Sequence, residues 1–273
     1  PDDDIISMGG TFQRLADQGH DVHVAYQTSG NIAVADDEAF RFVEFVKDFN
    51  IQFKIKSLEA DNIYSRSNVF LKQKKNAEPD TSELRFVKGL IRKGEATNTC
   101  RFVGIPDENI HFLNLPFYET GTIEKKPIGE DDIQIIASLI QKIKPHQIYA
   151  AGDLADPHGT HKVCLDGIFA ALNRIKQLDF MKECWLWLYK GAWAEWDIDA
   201  IEMAVPMSPE QLLKKRYGIF KHQSQKDGVV FQGTDSREFW QRAEDRNKAT
   251  AEIYNQLGLA EYEAMEAFVR WHY

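Results

Sequence analysis

The stretch QIYAAGDLADPHGTH, residues 147–161, joins a short apolar run to a polar loop that carries two histidines. The run at 147–152 is typical of a strand buried in a sheet, because it is apolar on both faces. An amphipathic helical pattern over 130–145 precedes it and ends at a proline, and another helical pattern follows at about 161–175. A buried strand between two helices predicts βαβ units and an α/β fold.

The same alternation extends over most of the chain. Further strands are predicted at 21–30, 109–116, 184–191 and 200–206, and further helices at 5–19, 37–48, 83–101, 209–222 and 235–256. Because strands alternate with helices of about 10 to 17 residues, we predict a Rossmann-like, doubly wound, mostly parallel sheet with helices on both faces. The polar stretch at 54–82 has no clear period and is left without an assigned element, and KQKKNAEPD within it, at 72–80, is most simply interpreted as a solvated loop or excursion.

Length and composition favour one large domain over two small ones. The chain has 273 residues, of which 43% are hydrophobic and 27% are charged, and this is typical of an ordered α/β domain with a substantial core. The sequence begins at Pro1 without an initiator methionine. We therefore interpret residues 1–273 as one domain and as a fragment of a longer chain.

Charge and cysteine content narrow the choice of partners. The formal net charge of −9 argues against general nucleic-acid binding, which depends on Lys and Arg. No apolar run approaches the ~18 residues of a membrane helix, and no signal peptide is visible. The odd cysteine count, Cys100, Cys164 and Cys184, argues against a disulfide framework. We expect a cytoplasmic protein with neither a nucleic-acid nor a membrane partner.

Two polar segments stand where functional groups gather in open parallel sheets, at the carboxyl ends of strands. One carries His158 and His161, directly after the strand at 147–152, and the other is the opening PDDD at 1–4. The two imidazoles can point to one side of a first helical turn. Imidazole and carboxylate together suit zinc, and a neighbouring carboxylate can accept a proton from an activated water.

Both segments also have ordinary interpretations. An acidic triplet alone is more often a helix cap or a solvated tail, because Asp is favoured at helix N-termini. Two histidines three residues apart are as often ordinary side chains as ligands. Their joint placement at two strand ends of one predicted sheet favours a functional site.

Taken in order, the motifs of this chain resemble those of the LmbE/PIG-L zinc-dependent N-deacetylases. They are Pro1-Asp2-Asp3 before an apolar helix with Gly9-Gly10, TSGN at 28–31, IRKGEA at 91–96 and PHGTH at 157–161. The resemblance covers most of the chain and implies an LmbE-like fold. It is closest to the deacetylase-like C-terminal domain of bacterial glucosamine-6-phosphate deaminase-like proteins.

The resemblance implies a role for each matching residue. Asp2 is the general base, Asp3 and His161 bind Zn²⁺ or another divalent metal, and His158 steadies the oxyanion of the tetrahedral intermediate. Asp4 is left for the N-terminus of the helix. The implied reaction is hydrolysis of an amide.

This chain departs from the family pattern at two places. The family's third metal ligand is a histidine just before the proline, and the sequence given starts at that proline. Many members have Pro-Asp between the two histidines, where an aspartate can orient the catalytic histidine. This chain has Gly159-Thr160 there, so Asp153 or Asp156 would have to take that role.

Other matching residues point to substrate binding. Arg92 and Glu95 fit the family's Arg-x-x-Glu pattern and could reach substrate hydroxyls or a phosphate, although a helix-surface ion pair at i, i+3 is equally consistent. Gly30 and Asn31 are candidate loop contacts. The implied substrate is an N-acetylated amino sugar such as N-acetylglucosamine 6-phosphate.

The sequence is also compatible with other functions. The domain could be a catalytically idle sugar-binding or scaffolding unit attached to a glucosamine-6-phosphate deaminase. A fused deaminase domain or a homo-oligomer is compatible with this alternative and with a deacetylase. A nucleotide-binding protein is disfavoured, because neither GxGxxG nor GxxxxGK[ST] occurs. Gly9 and Gly10 more simply permit close packing of the first helix.

Two further segments carry less specific patterns. Trp185, Trp187 and Tyr189 alternate as one face of a strand, which favours sheet packing over stacking on a sugar. His222 and Gln225, in HQSQ, are compatible with either a functional site or a helix end.

Overall fold

Helices and strands alternate along the chain in the computed structural model, which describes residues 1–75, 78–120, 125–152, 159–191, 194–226, 235 and 237–272. His158, Asp153 and Asp156 lie outside these residues. The helices are α1 (Asp3–Asp17), α2 (Asp36–Gln52), α3 (Leu58–Gln73), α4 (Ser82–Val103), α5 (Glu130–Ile143), α6 (Thr160–Ile175), α7 (Pro209–Ile219) and α8 (Phe239–Gln256). The strands are β1 (Val24–Tyr26), β2 (Ile110–Phe112), β3 (Gln147–Ala151), β4 (Trp185–Tyr189), β5 (Met203–Met207) and β6 (Ala264–Trp271).

The described strands form two small sheets. β1 pairs with β2 in parallel, and the larger sheet has the order β3-β4-β6-β5. In the larger sheet β3 and β4 are parallel, as predicted, whereas β6 runs antiparallel to both β4 and β5. The predicted parallel arrangement therefore holds for β1–β2 and for the common direction of β3, β4 and β5, and β6 is the strand of the larger sheet that runs in the opposite direction.

β4 is buried on both of its faces, which explains its continuous apolar sequence. Leu186 and Leu188 belong to the core that includes residues of α5 and α6. Trp187 and Tyr189 belong to the core on the opposite face, which includes residues of α1. The aromatic residues of this strand thus pack in the sheet, as predicted, except that Trp185 at its start is 42% exposed.

The polar stretch at 54–82, which the sequence left unassigned, contains the helix α3, while the described residues within 74–80 lie outside helices and strands, in agreement with the loop predicted at 72–80. α3 begins after Ser57, whose side chain accepts a hydrogen bond from Ala60 N at 3.2 Å, a favourable N-cap. Beyond the helix, Lys74 Nζ lies 2.8 Å from Asp36 and 2.6 Å from Asp80. The many charges obscure the helical period, yet they anchor the segment to α2 and to the residues before α4.

α1 is interrupted at Met8, whose backbone is not helical (φ −133°, ψ 28°). A break of this kind frees backbone N–H groups in the following turn. The Glu266 carboxylate on β6 accepts these hydrogen bonds, from Gly10 N at 2.8 Å and from Thr11 N at 2.7 Å. A Cβ on Gly10 would lie 2.2 Å from Met207 Sδ. The predicted close packing at Gly9-Gly10 is therefore present.

No helix in the described part of the chain combines the length and the apolar character needed to cross a bilayer.

Candidate active site

The starts of α1 and α6 lie side by side, although they are far apart in the sequence. Asp3 Oδ2 is 3.2 Å from His161 Nε2. Tyr189, at the carboxyl end of β4, is buried, and this burial, followed by the negative charges of Asp3 and Asp4, raises its pKa well above the usual value. The structure thus brings two of the predicted site residues together at the carboxyl end of the parallel strand pair, where open α/β sheets place their sites.

Electrostatics favour the ionised form of Asp3. Burial opposes ionisation, but the charge of His161 and its hydrogen bond to Asp3 outweigh that effect and lower the pKa of Asp3 below its usual range. The Asp3 side chain is 40% exposed and that of His161 is 15% exposed. The Asp3 carboxylate is therefore more accessible to solvent than the His161 imidazole.

Asp3 and His161 fit two ligand positions of a zinc site. Zinc takes carboxylate oxygen and imidazole nitrogen at bond lengths of ~2.0–2.2 Å, so two such ligands on a tetrahedral ion lie about 3.3–3.5 Å apart. The observed distance between Asp3 Oδ2 and His161 Nε2 is 3.2 Å. Within the described ranges no group of three His, Cys, Asp or Glu side chains is arranged to hold a metal.

Asp2 is held in an unusual backbone conformation beside this pair. Its φ of 136° is positive, which is rare for a residue other than glycine, and its side chain makes no capping hydrogen bond to α1. The carboxylate instead lies 3.0 Å from the guanidinium of Arg92. The helix-cap alternative therefore does not apply to Asp2. Arg92 also donates to the carbonyl of Pro1, so one buried side chain fixes both residues.

Arg92 is itself fixed by a chain of polar contacts. It is 2% exposed and donates to Glu95 Oε2 at 3.2 Å. Glu95 accepts from Ser224 N at 2.6 Å and from Ser224 Oγ at 2.8 Å. The i, i+3 ion pair predicted as one alternative is present, but it is buried and not on the helix surface. Arg92 thus forms an ion pair with Asp2. Its contact with substrate stays a prediction.

The HQSQ segment supplies a part of the site to which the sequence assigned no role. Ser224 binds Glu95, and Gln225 Nε2 donates to the carbonyl of Ala33 at 3.0 Å. His222 is buried, and its Nε2 lies 3.0 Å from Thr99 Oγ1. Burial and the nearby positive charge of Arg92 lower the pKa of His222 well below its usual value. His222 is therefore neutral and packs behind the candidate active site. In the sequence, the feature that pointed to HQSQ was its position after α7.

Asp4 lies in the first turn of α1, as predicted, but its carboxylate faces the core. Tyr26 Oη donates to Asp4 Oδ2 at 2.7 Å and lies 3.3 Å from Cys100 Sγ. The three acidic residues at the start of the chain therefore have three different partners. None of the three is a solvated tail.

Gly30 lies against the opening segment, and Asn31 follows it in the loop after β1. Gly30 has a φ of +68°, and a Cβ there would be 2.7 Å from Pro1 Cδ and 3.1 Å from Arg92 Nε. Asn31 is buried and its Nδ2 donates to Glu119 Oε2 at 3.2 Å. Gly30 thus permits the close approach that seats Pro1, and Asn31 connects the loop to the exposed Glu119.

The family of the chain follows from a comparison over its first two thirds. A family model described as PIG-L, GlcNAc-PI de-N-acetylase, matches residues 1–172. The chain belongs to the PIG-L family. The matched residues include Asp2, Asp3, Arg92 and His161, so the order of motifs in the sequence predicted the family correctly. The chain therefore has a deacetylase-family domain.

This PIG-L chain also matches a curated relative from Bacteroides thetaiotaomicron, described as a glucosamine-6-phosphate deaminase-like protein. The two are 55% identical over 274 residues, which cover 99% of this chain. The chain spans 41% of the length of that relative. The relative is thus considerably longer than the PIG-L chain.

Solved structures with the same fold include enzymes of two reaction types. The N,N'-diacetylchitobiose deacetylase from Pyrococcus horikoshii is 18% identical, with a TM-score of 0.56 over 99% of this chain and 80% of that one. The 4-carboxy-2-hydroxymuconate hydratase from Pseudomonas putida is 14% identical, with a TM-score of 0.60 over 100% of this chain and 92% of that one. These matches confirm the predicted LmbE-like α/β fold. The fold alone does not decide the reaction.

Proposed function

We propose that this PIG-L protein is a metal-dependent hydrolase that removes the acetyl group from an N-acetylated amino sugar. The observation that carries the proposal is the 3.2 Å approach of Asp3 Oδ2 to His161 Nε2 beside an Asp2 held by Arg92. It combines two metal-ligand side chains with an adjacent carboxylate. In metal-assisted amide hydrolysis such ligands would hold the ion, and such a carboxylate would accept a proton from the attacking water.

Asp3 and His161 would hold Zn²⁺ or another divalent ion, together with a histidine that precedes Pro1 in the family. The ion, when bound, would lower the pKa of a water toward ~7 and polarise the acetamido carbonyl. The described residues contain no group of three metal-ligating side chains. The complete set of ligands is therefore proposed and not observed.

Asp2 would accept the proton of the attacking water. Arg92 Nη2 lies 3.0 Å from Asp2 Oδ2, which leaves Oδ1 as the atom to take the proton. The water oxygen bonds to the carbonyl carbon, the C–N bond breaks, and the proton held by Asp2 passes to the departing amine. The products are acetic acid and the free amine, which at neutral pH become acetate and the ammonium form of the amino sugar, so atoms and charge balance.

His158 would stabilise the oxyanion of the tetrahedral intermediate in its protonated form. One such donor is worth about 3 kcal/mol in comparable sites. This assignment rests on the family resemblance, since His158 lies outside the described residues.

For the substrate we propose N-acetylglucosamine 6-phosphate, in the cytoplasm. The 55% identical relative is described as glucosamine-6-phosphate deaminase-like, and deacetylation of this substrate yields glucosamine 6-phosphate. The length of that relative also supports an attached deaminase domain in the complete protein. A catalytically idle sugar-binding domain beside a deaminase is the alternative that the same length supports.

An acetate-release assay on the metal-loaded protein tests the proposal. N-acetylglucosamine 6-phosphate, N-acetylglucosamine and N,N'-diacetylchitobiose are compared as substrates. Asp2→Asn should abolish release while metal content is retained, and Asp131→Asn, on the start of α5, serves as the matched control. Full metal occupancy with no acetate released from any acetamido sugar would favour the idle domain.

A further inference from the structure

The break in α1 separates two pairs of groups that a regular helix would join. In an unbroken helix each N–H donates to the carbonyl four residues earlier, so Gly10 N would donate to Ile6 O. Thr11 N would likewise donate to Ser7 O. Both amides donate instead to Glu266. The carbonyls of Ile6 and Ser7, which are buried residues, therefore need other donors, because a buried carbonyl without a hydrogen bond is unfavourable.

Arg246, on α8, supplies a donor to these two carbonyls. Its Nη2 lies 3.5 Å from Ile6 O and 3.5 Å from Ser7 O. The Arg246 side chain is 9% exposed, and a charged donor makes stronger hydrogen bonds than a neutral one. Each side of the break thus has its own charged partner. Glu266 takes the amides, and Arg246 takes the carbonyls.

Arg246 is itself fixed at the carboxyl end of β4. Its Nη1 donates to Lys190 O at 3.2 Å, and Lys190 directly follows the strand. Its Nε lies 3.3 Å from Glu195 Oε2, while Glu195 Oε1 accepts from Trp196 N at 2.9 Å. One guanidinium therefore joins α1 to the end of the sheet at which the candidate active site lies.

The part of α1 before the break, residues 3–7, needs such anchors. It is far shorter than the ~12 residues below which an isolated helix is marginal in water. Arg92 holds its start through Asp2, and Arg246 holds its end. Asp3, the proposed metal ligand, thus lies in a short segment fixed at both ends by a buried arginine.

We propose that Arg246 is a positioning residue for Asp3, because it fixes residues 3–7 against the end of β4. The inference rests on the proposed function for its effect on catalysis. Arg246 contacts the backbone of α1 and none of the proposed reacting groups, so it acts through Asp3. Misplacement of a catalytic group by about 1 Å can cost ~10²-fold in rate.

Hydrogen–deuterium exchange measured by mass spectrometry tests the anchoring without any need for activity. The double variant Arg246→Met with Glu195→Gln removes the donor without leaving a buried charge unpaired. Exchange in residues 3–7 should become at least tenfold faster, because their local unfolding becomes easier. Exchange in residues 10–17 should stay unchanged, since Glu266 still holds that part of the helix.

Another ion pair that involves α8 provides the matched control. Arg216 Nε lies 2.5 Å from Glu244 Oε1, and Arg216→Met with Glu244→Gln should leave exchange in both parts of α1 at the wild-type rate. Arg246→Lys is the milder variant if the double variant does not fold. It keeps the charge beside Glu195 but lacks the fork that reaches several oxygens at once, so it should show the same selective change. Circular dichroism verifies that each variant is folded.

Zinc affinity and steady-state kinetics measure the effect on the site. The double variant at Arg246 and Glu195 should bind zinc at least tenfold more weakly and lower kcat more than it raises KM. Unchanged exchange in residues 3–7 overturns the inference, and so does equal acceleration in both parts of α1, which would indicate general loosening. Selective acceleration with wild-type zinc affinity also overturns it, because Asp3 would then be placed without Arg246.

Failure of this inference is distinguishable from failure of the proposed function. A wild-type protein that binds no zinc and releases no acetate contradicts the proposed function. The exchange measurement still decides whether Arg246 anchors residues 3–7, because it needs neither metal nor substrate.

Discussion

Lys215 Nζ donates to Glu266 Oε1 over 2.7 Å, and both side chains are fully buried. Glu266 also accepts from Gly10 N and Thr11 N at the break in α1, and Lys215 donates to Asn247 Oδ1 at 2.8 Å. Burial lowers the pKa of Lys215, although Glu266 opposes that effect. A satisfied buried ion pair thus fixes the bend of the helix whose start carries Asp2 and Asp3.

Removing one partner of this pair should destabilise the fold strongly. Lys215→Met leaves a buried carboxylate without its counter-ion, and such losses cost about 3–5 kcal/mol in the free energy of unfolding. Urea denaturation measures the change. Arg101→Gln, which breaks the surface ion pair with Asp107 at 2.5 Å, is the control and should change the stability by less than about 1 kcal/mol. Equal losses in the free energy of unfolding for the two variants would contradict a larger contribution from the buried pair.

Metal binding should depend on Asp3 and His161 and not on Asp2. Asp3→Ala and His161→Ala each remove one predicted ligand, so elemental analysis after zinc loading should find the metal lost. Asp2→Asn should retain zinc, since Asp2 faces Arg92 at 3.0 Å. Full zinc content in Asp3→Ala would contradict the assigned ligand set.

Arg92→Gln should lower kcat more than it raises KM. The change removes the group that holds Asp2 and the carbonyl of Pro1, and misplacement of a catalytic group by about 1 Å can cost ~10²-fold in rate. Steady-state kinetics on the best acetamido sugar measure both constants. Arg92→Lys should restore part of kcat, because it keeps the charge but not the forked geometry. A rise in KM alone would instead indicate direct substrate binding.

Gly30→Ala should impair activity beyond its effect on backbone strain. The new Cβ would lie 2.7 Å from Pro1 Cδ and 3.1 Å from Arg92 Nε, at a φ of +68°. Gly258→Ala is the matched control, with a φ of +86° and no atom within 4 Å of the new Cβ. Both changes should cost about 1–2 kcal/mol of stability, measured by thermal unfolding. Only Gly30→Ala should also displace Asp2 and lose acetate release.

Lys125 should react with amine reagents at an unusually low pH. Burial lowers the pKa of Lys125 to about 8, and the weaker opposing influence is Glu119. The neutral, nucleophilic amine therefore forms as the pH rises through about 8, whereas a lysine in water has a pKa of about 10.4. Mass spectrometry after brief acetylation at several pH values gives the midpoint at Lys125. The exposed Lys182, paired with Asp179 at 2.9 Å, serves for comparison, and equal midpoints would contradict the expected shift.

Local patterns predicted the architecture well where one period dominates. The helix at α5 and the strand at β3 follow directly from their spacing of apolar residues, although β3 is half-buried and not fully buried as predicted, with Gln147 exposed at its start. The sequence pattern did not predict α3, because charged residues mask its helical period, and it did not predict β6 at the end of the chain. β6 carries Glu266, whose hydrogen bonds to α1 join residues at opposite ends of the chain. No local pattern reports a contact of that kind.

The sequence by itself determined the family and the identity of the candidate residues, because motif order and residue chemistry are properties of the chain. The tertiary structure alone decided their arrangement: Asp3 against His161, Asp2 on Arg92, and Arg92 held through Glu95 by Ser224. A carboxylate at a helix start is equally suited to cap, to bind metal or to accept a proton. Which of these it does depends on the charges and donors that folding brings within about 3 Å of its oxygens.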